Sequence, residues 1–317
     1  MAIPVIRSAK ELIERASAIA AEGRKKTVAV AAAQDADVIG AVSQARAEGF
    51  LDGILIGDKA IIEKLAADND IDIDGMDIVD RKNVAEAAHY AAGLAAQKKA
   101  DAIMKGFLPT SALLKVVLDK QYGLREGNTL SHCAVLEIPG YHKMLNFTDG
   151  GMVVKPDVDQ KFQILQNAVM VGRALGLSPV RIALSAATES ITDKIAHIIS
   201  DVEDIRPRAE EELPDIAVQG PLSLDLATSK EAAEALGLEG PVVGEADIYL
   251  VNSIEEANII VKSLIQFAEA IFCGVIVGAR VPVSLVSRTD TVMNKKSSLA
   301  LACVIADYYS QNKVWEA

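Results

Sequence analysis

The stretch Thr27–Gly57, TVAVAAAQDADVIGAVSQARAEGFLDGILIG, decides how this chain is built. Thr27–Ala33 is a short β-branched and apolar run, Ala36–Glu48 spaces its apolar residues at helical period and is closed by Gly49, and Gly53–Gly57 is again a short apolar run. A strand, a helix and a strand in that order form a crossover that pairs the two strands in parallel. The same rhythm extends in both directions. Upstream, Ser8–Glu11 has the S-x-x-E spacing of a capping box before a helix that Gly23 would end. Downstream come a helix near Val84–Gln97, the strand Asp101–Gly106 and a helix beginning around Pro109-Thr110-Ser111. The rhythm breaks at SHCAVLEIPGYHKMLNFTDGG (131–151), where Pro139-Gly140 separates two apolar runs with no room for a helix, which predicts an antiparallel insertion. It then resumes with a helix over Asp159–Ala174, a strand over Val180–Ala186, helices near Ser190–Val202 and Lys230–Leu236, a strand over Ala246–Val251 and a helix over Ile254–Ala270. Ala270–Ala279 is about half a bilayer span and reads as a buried strand. A last helix, Asn294–Tyr309, is expected to return to the first domain. The fold class is therefore α/β, with mostly parallel sheets flanked by helices.

At 317 residues, two domains are favoured over one or four. Half the residues are apolar, 24% are charged and 4% aromatic, which excludes a disordered chain and a stacking platform for single-stranded nucleic acid. The formal charge of −12 repels a nucleic-acid backbone. Cys133, Cys273 and Cys303 are odd in number and far apart, which argues against disulfides and structural zinc. Charged residues from Arg7 to Glu14 interrupt the first segment, so a secretory signal is not expected, and a cytoplasmic protein without a membrane span is.

Motifs narrow the chemistry. There is no G-x-G and no Gly-Lys pair, so the nicotinamide Rossmann and P-loop fingerprints are missing, as are H-E-x-x-H and G-x-S-x-G. His89, His132, His142 and His197 do not pair at ligand spacing, and His132 reads as a packed histidine. The concentrated signal is VPVSLVSRTDTVMNKKSSLALA (281–302), a strand running into Ser287-Arg288-Thr289-Asp290 and then a helix. Such a corner offers hydroxyls, a guanidinium and exposed N–H groups at the mouth of an α/β sheet, where anions bind; a plain N-cap at Thr289 or Asp290 is the alternative. Lys105-Gly106 with Pro109-Thr110-Ser111 repeats the pattern after another strand, and Asn258 and Lys262 share one helix face.

As a whole, the chain resembles the phosphate acetyl/butyryltransferase family, most closely its butyryltransferase branch. Five blocks carry the resemblance in order: VAVAAAQDADVIGAVSQARAEGFLDGILIGD (28–58), ADAIMKGFLPTSALLKVVLDKQYGLREG (100–127), SHCAVLEIPGYHKMLNFTDGGM (131–152), QGPLSLDLATSKEAAEALGLEGPVVGEADI (219–248) and SRTDT (287–291). It implies a two-domain isocitrate/isopropylmalate dehydrogenase-like fold. The first domain would be discontinuous, residues 1–134 plus 281–317, and 135–280 would be inserted, with the active site in the cleft between them. It implies reversible transfer of a short-chain acyl group (butyryl, isobutyryl or acetyl) between coenzyme A and inorganic phosphate. Both would be substrates, with no tightly bound cofactor, no metal, no covalent enzyme intermediate and usually a homodimer.

By match to the family motifs, Ser287 would donate to the developing oxyanion and Arg288 would hold phosphate oxygens. Thr110 and Ser111 would line the phosphate side with Lys105 nearby. Asn258 and Lys262 match a cleft-facing N-x-x-x-K, Asp149 matches the acidic residue of a T-D segment, and Arg280 is placed among the substrate-binding residues. Two departures stand out. Asn294 occupies the place where the acetyltransferase branch has a carboxylate suspected as thiol base, which leaves Asp290 as the nearest carboxylate or the local cationic field as the source of thiolate. Ala257 stands where a glycine is common and is expected to narrow the approach of a ligand to the backbone. Two alternatives remain: a catalytically weak coenzyme A or acyl-phosphate binding protein, and a metal- and NAD(P)-dependent decarboxylating dehydrogenase. The dehydrogenase would have to draw its metal ligands from Asp201, Asp204 and Glu210–Glu212, which read as a solvated acidic face.

Overall fold

A computed structural model describes residues 3–125, 127, 129–190 and 196–315, with residues 196, 197 and 199–201 described by their backbone alone. The elements in chain order are α1 (Ala9–Ile19), β1 (Lys26–Ala31), α2 (Ala36–Ala47), β2 (Leu51–Gly57), α3 (Lys59–Asp68), β3 (Asp77–Asp80), α4 (Val84–Ala96), β4 (Ala102–Lys105), α5 (Thr110–Val117), β5 (Ser131–Glu137) and β6 (Met144–Thr148). They continue with α6 (Val158–Ala174), β7 (Val180–Ser185), α7 (Ala196–Glu212), β8 (Ile216–Leu222), α8 (Leu224–Thr228), α9 (Lys230–Ala235), β9 (Ile248–Leu250), α10 (Ile254–Ala268), β10 (Ile271–Val277), β11 (Val283–Ser284) and α11 (Val292–Asn312). No helix among the described residues is long and apolar enough to cross a membrane.

The chain divides into two compact units, Ala9–Asn128 with Phe272–Ala317, and Met1–Ser8 with Thr129–Ile271. The inserted unit thus begins at Thr129, ahead of β5, because β5 pairs antiparallel with β6 across the Pro139-Gly140 turn and so belongs with it. It also claims the first eight residues, where the Ile6 N–H donates to the Leu175 carbonyl at 2.9 Å.

In the discontinuous unit the strands run β3-β2-β1-β4-β11-β10. All neighbours are parallel except β10 with β11. Strands β1, β4 and β11 therefore end at the same edge, the placement at which open α/β sheets bind ligands. In the inserted unit the order is β5-β6-β9-β7-β8, parallel beyond the β5–β6 hairpin. Helices flank these sheets because each strand-to-strand crossover must cover a sheet face.

Four elements are absent from the sequence expectation, the short helix α8 among them. Helix α3 starts at the Asp58 side chain, which accepts from Ala60 and Ile61 N–H at 3.1 and 3.2 Å. Strand β3 is four residues with charged, exposed ends at the sheet edge, a weak pattern that blunts further pairing. Strand β8 contains Gly220-Pro221, which reads as a turn in sequence; as an edge strand, β8 tolerates the missing donor. The helix expected over Ser190–Val202 falls partly on residues outside those described, and α7 begins at Ala196. The side chains of His197 and Asp201 also lie outside them.

Helix α11 is buried almost all round, the mark of a helix that passes through the middle of a domain. Its polar residues are placed by specific partners. Asn294 Oδ1 accepts from Phe272 N–H at 3.2 Å, Ser298 Oγ accepts from Gly274 N–H at 2.9 Å, and Asp307 pairs with Arg24 and, at 3.2 Å, with Lys26. Cys133, Cys273 and Cys303 are buried free thiols. Burial pushes the Cys133 thiol up to about 12, which keeps it protonated and inert at neutral pH.

Candidate active site

The carboxyl ends of β1, β4 and β11 assemble a cationic cradle within the discontinuous unit. Beyond β4, the Gly106 and Phe107 N–H groups donate to the Ala31 and Ala32 carbonyls at 2.9 and 2.6 Å. A Cβ on Gly106 would stand 2.1 Å from the Ala32 carbonyl oxygen, so only glycine lets the two chain ends cross. This crossing sets Lys105, the last residue of β4, beneath the turn. Lys105 is buried and its ammonium donates to the Gly106 carbonyl at 3.3 Å. Burial pushes its pKa below the ordinary lysine range, and the nearby cations of Arg288 and Lys295 push it further down. Helix α5 then begins at Thr110, with Ser111 exposed beside it. Pro109 supplies no side-chain cap, so the first N–H groups of that helix face outward for a ligand to accept.

On the neighbouring strand end, Ser287 to Asp290 form a turn. The Asp290 carboxylate accepts from Ser287 N–H at 2.6 Å, and the Asp290 N–H returns to the Ser287 carbonyl at 3.2 Å. Ser287 Oγ lies 3.0 Å from Thr289 Oγ1. Ser287, Arg288 and Thr289 are exposed. The cap of α11 is Thr291, whose hydroxyl accepts from Asn294 N–H at 3.1 Å, and not Thr289 or Asp290. This frees Ser287, Arg288 and Thr289 from capping duty.

Two positioning contacts carry no sequence signal of their own. The Arg288 guanidinium lies over the Phe107 ring, 4.2 Å from its centroid, a cation–π contact between the two motif segments. Lys295 is 1% exposed; its ammonium donates to the Asp290 carbonyl and, at 3.5 Å, to the Arg288 carbonyl, and pairs with Asp37 at 3.4 Å. It ties the Ser-Arg turn to the start of α2. Phe107→Ala is expected to raise the KM of a substrate held by Arg288 about two- to fivefold, the worth of a partly exposed cation–π contact. Phe107 is 45% exposed, so the melting temperature should hold, and Phe107→Tyr should restore KM.

The other expected site residues have these surroundings. Asn294 is 5% exposed and its amide oxygen serves the backbone of β10, which gives it a structural partner. Arg280 sits before β11, at the opposite sheet edge, where its N–H donates to the Leu124 carbonyl at 2.9 Å. Asp149, Asn258 and Lys262 belong to the inserted unit. Asp149 is buried and accepts from four backbone N–H groups, those of His132, Gly151, Met152 and Val153, at 3.3, 2.8, 2.9 and 3.1 Å. Burial raises its pKa to about 6 against the opposing pull of those bonds, so its oxygens organise the turn that follows β6. Gly150 and Gly151 face the His132 ring, where a Cβ on Gly151 would stand 3.2 Å from it. His132 is buried, and burial depresses its pKa to about 4, so it is a neutral packed histidine. Ala257 is fully buried, its methyl 3.5 Å from the Cβ position of Gly150, so it packs into this turn. Asn258 and Lys262 do lie exposed on one face of α10, one residue round the helix from buried Ala257 and Val261.

The acidic residues that a dehydrogenase would need as metal ligands include Asp201, whose side chain lies outside those described. Among the described residues no group of three or more His, Cys, Asp or Glu could hold a metal ion. Glu210 and Glu212 pair with Arg206 and Arg208 one turn back at 2.9 and 3.0 Å.

Comparison with known proteins gives the family and the fold. Residues 9–95 and 81–303 match the family described as phosphate acetyl/butaryl transferase. Over 281 residues the chain is 37% identical to the phosphate butyryltransferase of Clostridium acetobutylicum, covering 89% of this chain and 93% of that one. A probable phosphate butyryltransferase of Bacillus subtilis is 38% identical over 301 residues, 95% of this chain and 99% of that one. Among solved structures, a branched-chain phosphotransacylase from Enterococcus faecalis superposes with a TM-score of 0.78 at 32% identity, covering 89% of this chain and 99% of that one. A 4-hydroxythreonine-4-phosphate dehydrogenase from Klebsiella pneumoniae, at 14% identity and a TM-score of 0.56, shares the fold alone, covering 89% of this chain and all of that one.

Proposed function

This chain belongs to the phosphate acetyl/butaryl transferase family, and from that premise we propose that it moves a short-chain acyl group reversibly between coenzyme A and inorganic phosphate, with butyryl or a branched group preferred over acetyl. The carrying observation is the cradle itself: Ser287, Arg288, Lys105 and the uncapped start of α5 at the carboxyl ends of three adjacent parallel strands. In one direction the coenzyme A thiolate attacks the acyl phosphate carbonyl, a tetrahedral oxyanion forms, and phosphate leaves with the electron pair of the broken C–O bond. In the other, a phosphate oxygen attacks the thioester and thiolate leaves.

Arg288 and Lys105 hold the phosphate oxygens, together with the N–H groups of Thr110 and Ser111. Ser287 Oγ donates to the oxyanion. By family match Asn258 and Lys262 take part in coenzyme A binding, and Asp149 supports the turn that follows β6. Asp290 acts as a positioning residue, because its carboxylate closes the Ser-Arg turn. The cationic field of Arg288, Lys105 and Lys295 supplies thiolate from a thiol of ordinary pKa near ~8.5. Asp290→Asn keeps an acceptor for Ser287 N–H, so kcat should fall less than about tenfold; a loss of about 10²–10⁴-fold would make Asp290 the general base. The protein would act in the cytoplasm as a homodimer of about twice 33.6 kDa, and Ile259 and Phe267, exposed on α10, offer it an apolar face.

Lys105 sets a pH dependence. Its folded pKa lies below 10.5, so it is cationic at neutral pH and loses its charge as pH rises through the depressed value. Phosphate affinity should therefore be full at neutral pH and decline along an alkaline limb that starts below the ordinary lysine range. Bound phosphate relieves the repulsion from Arg288, so binding in that limb should take up a proton, measurable as buffer-dependent heat in calorimetry. Lys105→Gln should abolish both the limb and the proton uptake.

The function is tested by thiol release from acetyl-, butyryl- and isobutyryl-CoA with and without inorganic phosphate. Phosphate-dependent release is expected, fastest for the four-carbon thioesters. No release from any thioester alongside saturable coenzyme A binding would favour a binding protein instead.

A further inference from the structure

Among the described residues the buried lysines are Lys26, Lys105, Lys143, Lys161, Lys295 and Lys296. Four of them meet a carboxylate: Lys26 pairs with Asp307 at 3.2 Å, Lys143 with Asp247 at 2.5 Å, Lys295 with Asp37 at 3.4 Å and Lys296 with Glu48 at 2.6 Å. Lys161 donates to the Asn252 amide oxygen at 2.9 Å. Lys105 differs from them all, because among the described residues its ammonium meets only a backbone carbonyl, that of Gly106, at 3.3 Å.

A charge buried without a counter-charge favours its neutral form, and neighbouring cations favour that form further. At Lys105 those cations are Arg288 and Lys295; Asp35 and Asp290 are the carboxylates that oppose them, and burial together with the Arg288 charge outweighs both. A lysine desolvated beside another cation is the form of that side chain that acts as a nucleophile near neutral pH. Position supplies the rest. Lys105 ends β4 beneath the Gly106 turn, at the sheet edge it shares with the Ser-Arg corner. An amine that grips the phosphate oxygens of an acyl phosphate there stands a single P–O–C linkage from the carbonyl carbon.

We propose that Lys105 is a covalent modification site, acylated by the acyl phosphate in the cradle when no coenzyme A thiolate is present to take the acyl group. This rests on an acyl phosphate occupying the cradle, as in the function proposed above. The neutral Lys105 amine attacks the carbonyl carbon and an N–C bond forms. The C–O bond to phosphate breaks, and inorganic phosphate leaves with that electron pair and takes up the amine proton. The product is a stable amide, not an intermediate of transfer. It replaces a cation of the cradle by a longer, uncharged side chain, so the acylated chain loses its hold on phosphate and stays switched off for as long as the amide persists.

The full chain is incubated with synthetic butyryl phosphate in the absence of coenzyme A, digested with a protease that does not cut at lysine, and read by mass spectrometry of its lysine-bearing peptides. Lys105 should gain a butyryl group about tenfold or more faster than Lys98 and Lys120, which are exposed, because a bound reactant gains from proximity. Inorganic phosphate should slow the reaction at Lys105 and leave Lys98 and Lys120 unchanged. Phosphate-dependent thiol release, measured after butyryl phosphate is removed, should fall in proportion to the label on Lys105. The proposal is overturned by no label at Lys105, by a rate no higher than at the exposed lysines, by a label indifferent to phosphate, or by thiol release undiminished in the labelled chain. Labelling needs no turnover, so the two readings are judged apart. Selective, phosphate-sensitive labelling in a chain that never releases thiol would keep this site and sink acyl transfer, and thiol release without such labelling would do the reverse.

Discussion

Arg288→Ala is expected to lower kcat/KM by about 10³-fold while leaving the melting temperature unchanged. The guanidinium is exposed at the turn and touches the rest of the protein chiefly through the face of Phe107, so its removal leaves no cavity and no buried orphan. It would, however, take away a charge-assisted, two-pronged contact to phosphate that strengthens as charge develops, and a single preorganised donor of this kind is worth about 10²–10³-fold. Arg288→Lys should recover little. An ammonium has the charge but neither the planar fork nor the flat surface that stacks on Phe107. Steady-state kinetics in both reaction directions, with calorimetric melting as control, decide it. A loss below about tenfold in Arg288→Ala, or near-complete rescue by lysine, would remove Arg288 from the phosphate cradle.

Lys295→Met is expected to cost about 10²-fold in kcat/KM with a small change in global stability. Removing a buried ammonium also removes the cost of keeping it out of water, so the fold itself loses little. What is lost is the grip on the Arg288 and Asp290 carbonyls, and a displacement near 1 Å of reacting groups is sufficient for a loss of that order. The adjacent Lys296 provides the control. It is also buried, but its ammonium pairs with Glu48 at 2.6 Å and touches no part of the Ser-Arg turn. Lys296→Met should likewise change global stability little and leave kcat/KM within about twofold of the parent. Equal kinetic losses in both variants would mean that Lys295 acts only through the stability of α11.

The two lysines show where reading a sequence stops. Nothing in Asn294-Lys295-Lys296-Ser297 distinguishes the residue that holds the turn from the one that anchors α2, because both are charged and both lie on a helix buried on every side. The Ser287-Arg288 corner could be picked out from the strand-to-helix pattern, but its pattern alone fits a capped helix start as well, and only the family match assigned it a role. Asp149 was legible as an important acid by family match. Its four backbone donors were not, since they come from His132 on a neighbouring strand and from the three residues Gly151–Val153 of its own turn.

The sequence alone determined the α/β class, the parallel rhythm broken by one antiparallel hairpin, and the family, because these follow from local periodicity and from motifs that are contiguous along the chain. Only the tertiary structure decided that Thr291 and not Asp290 caps α11, that Asn294 serves the backbone of β10, that Ala257 packs into a turn, and that Phe107 and Lys295 hold the Ser-Arg corner. Each of these depends on a contact that local sequence cannot assign: on which of several candidate donors and acceptors meet, a choice made by strand order and by how closely two chain ends can approach.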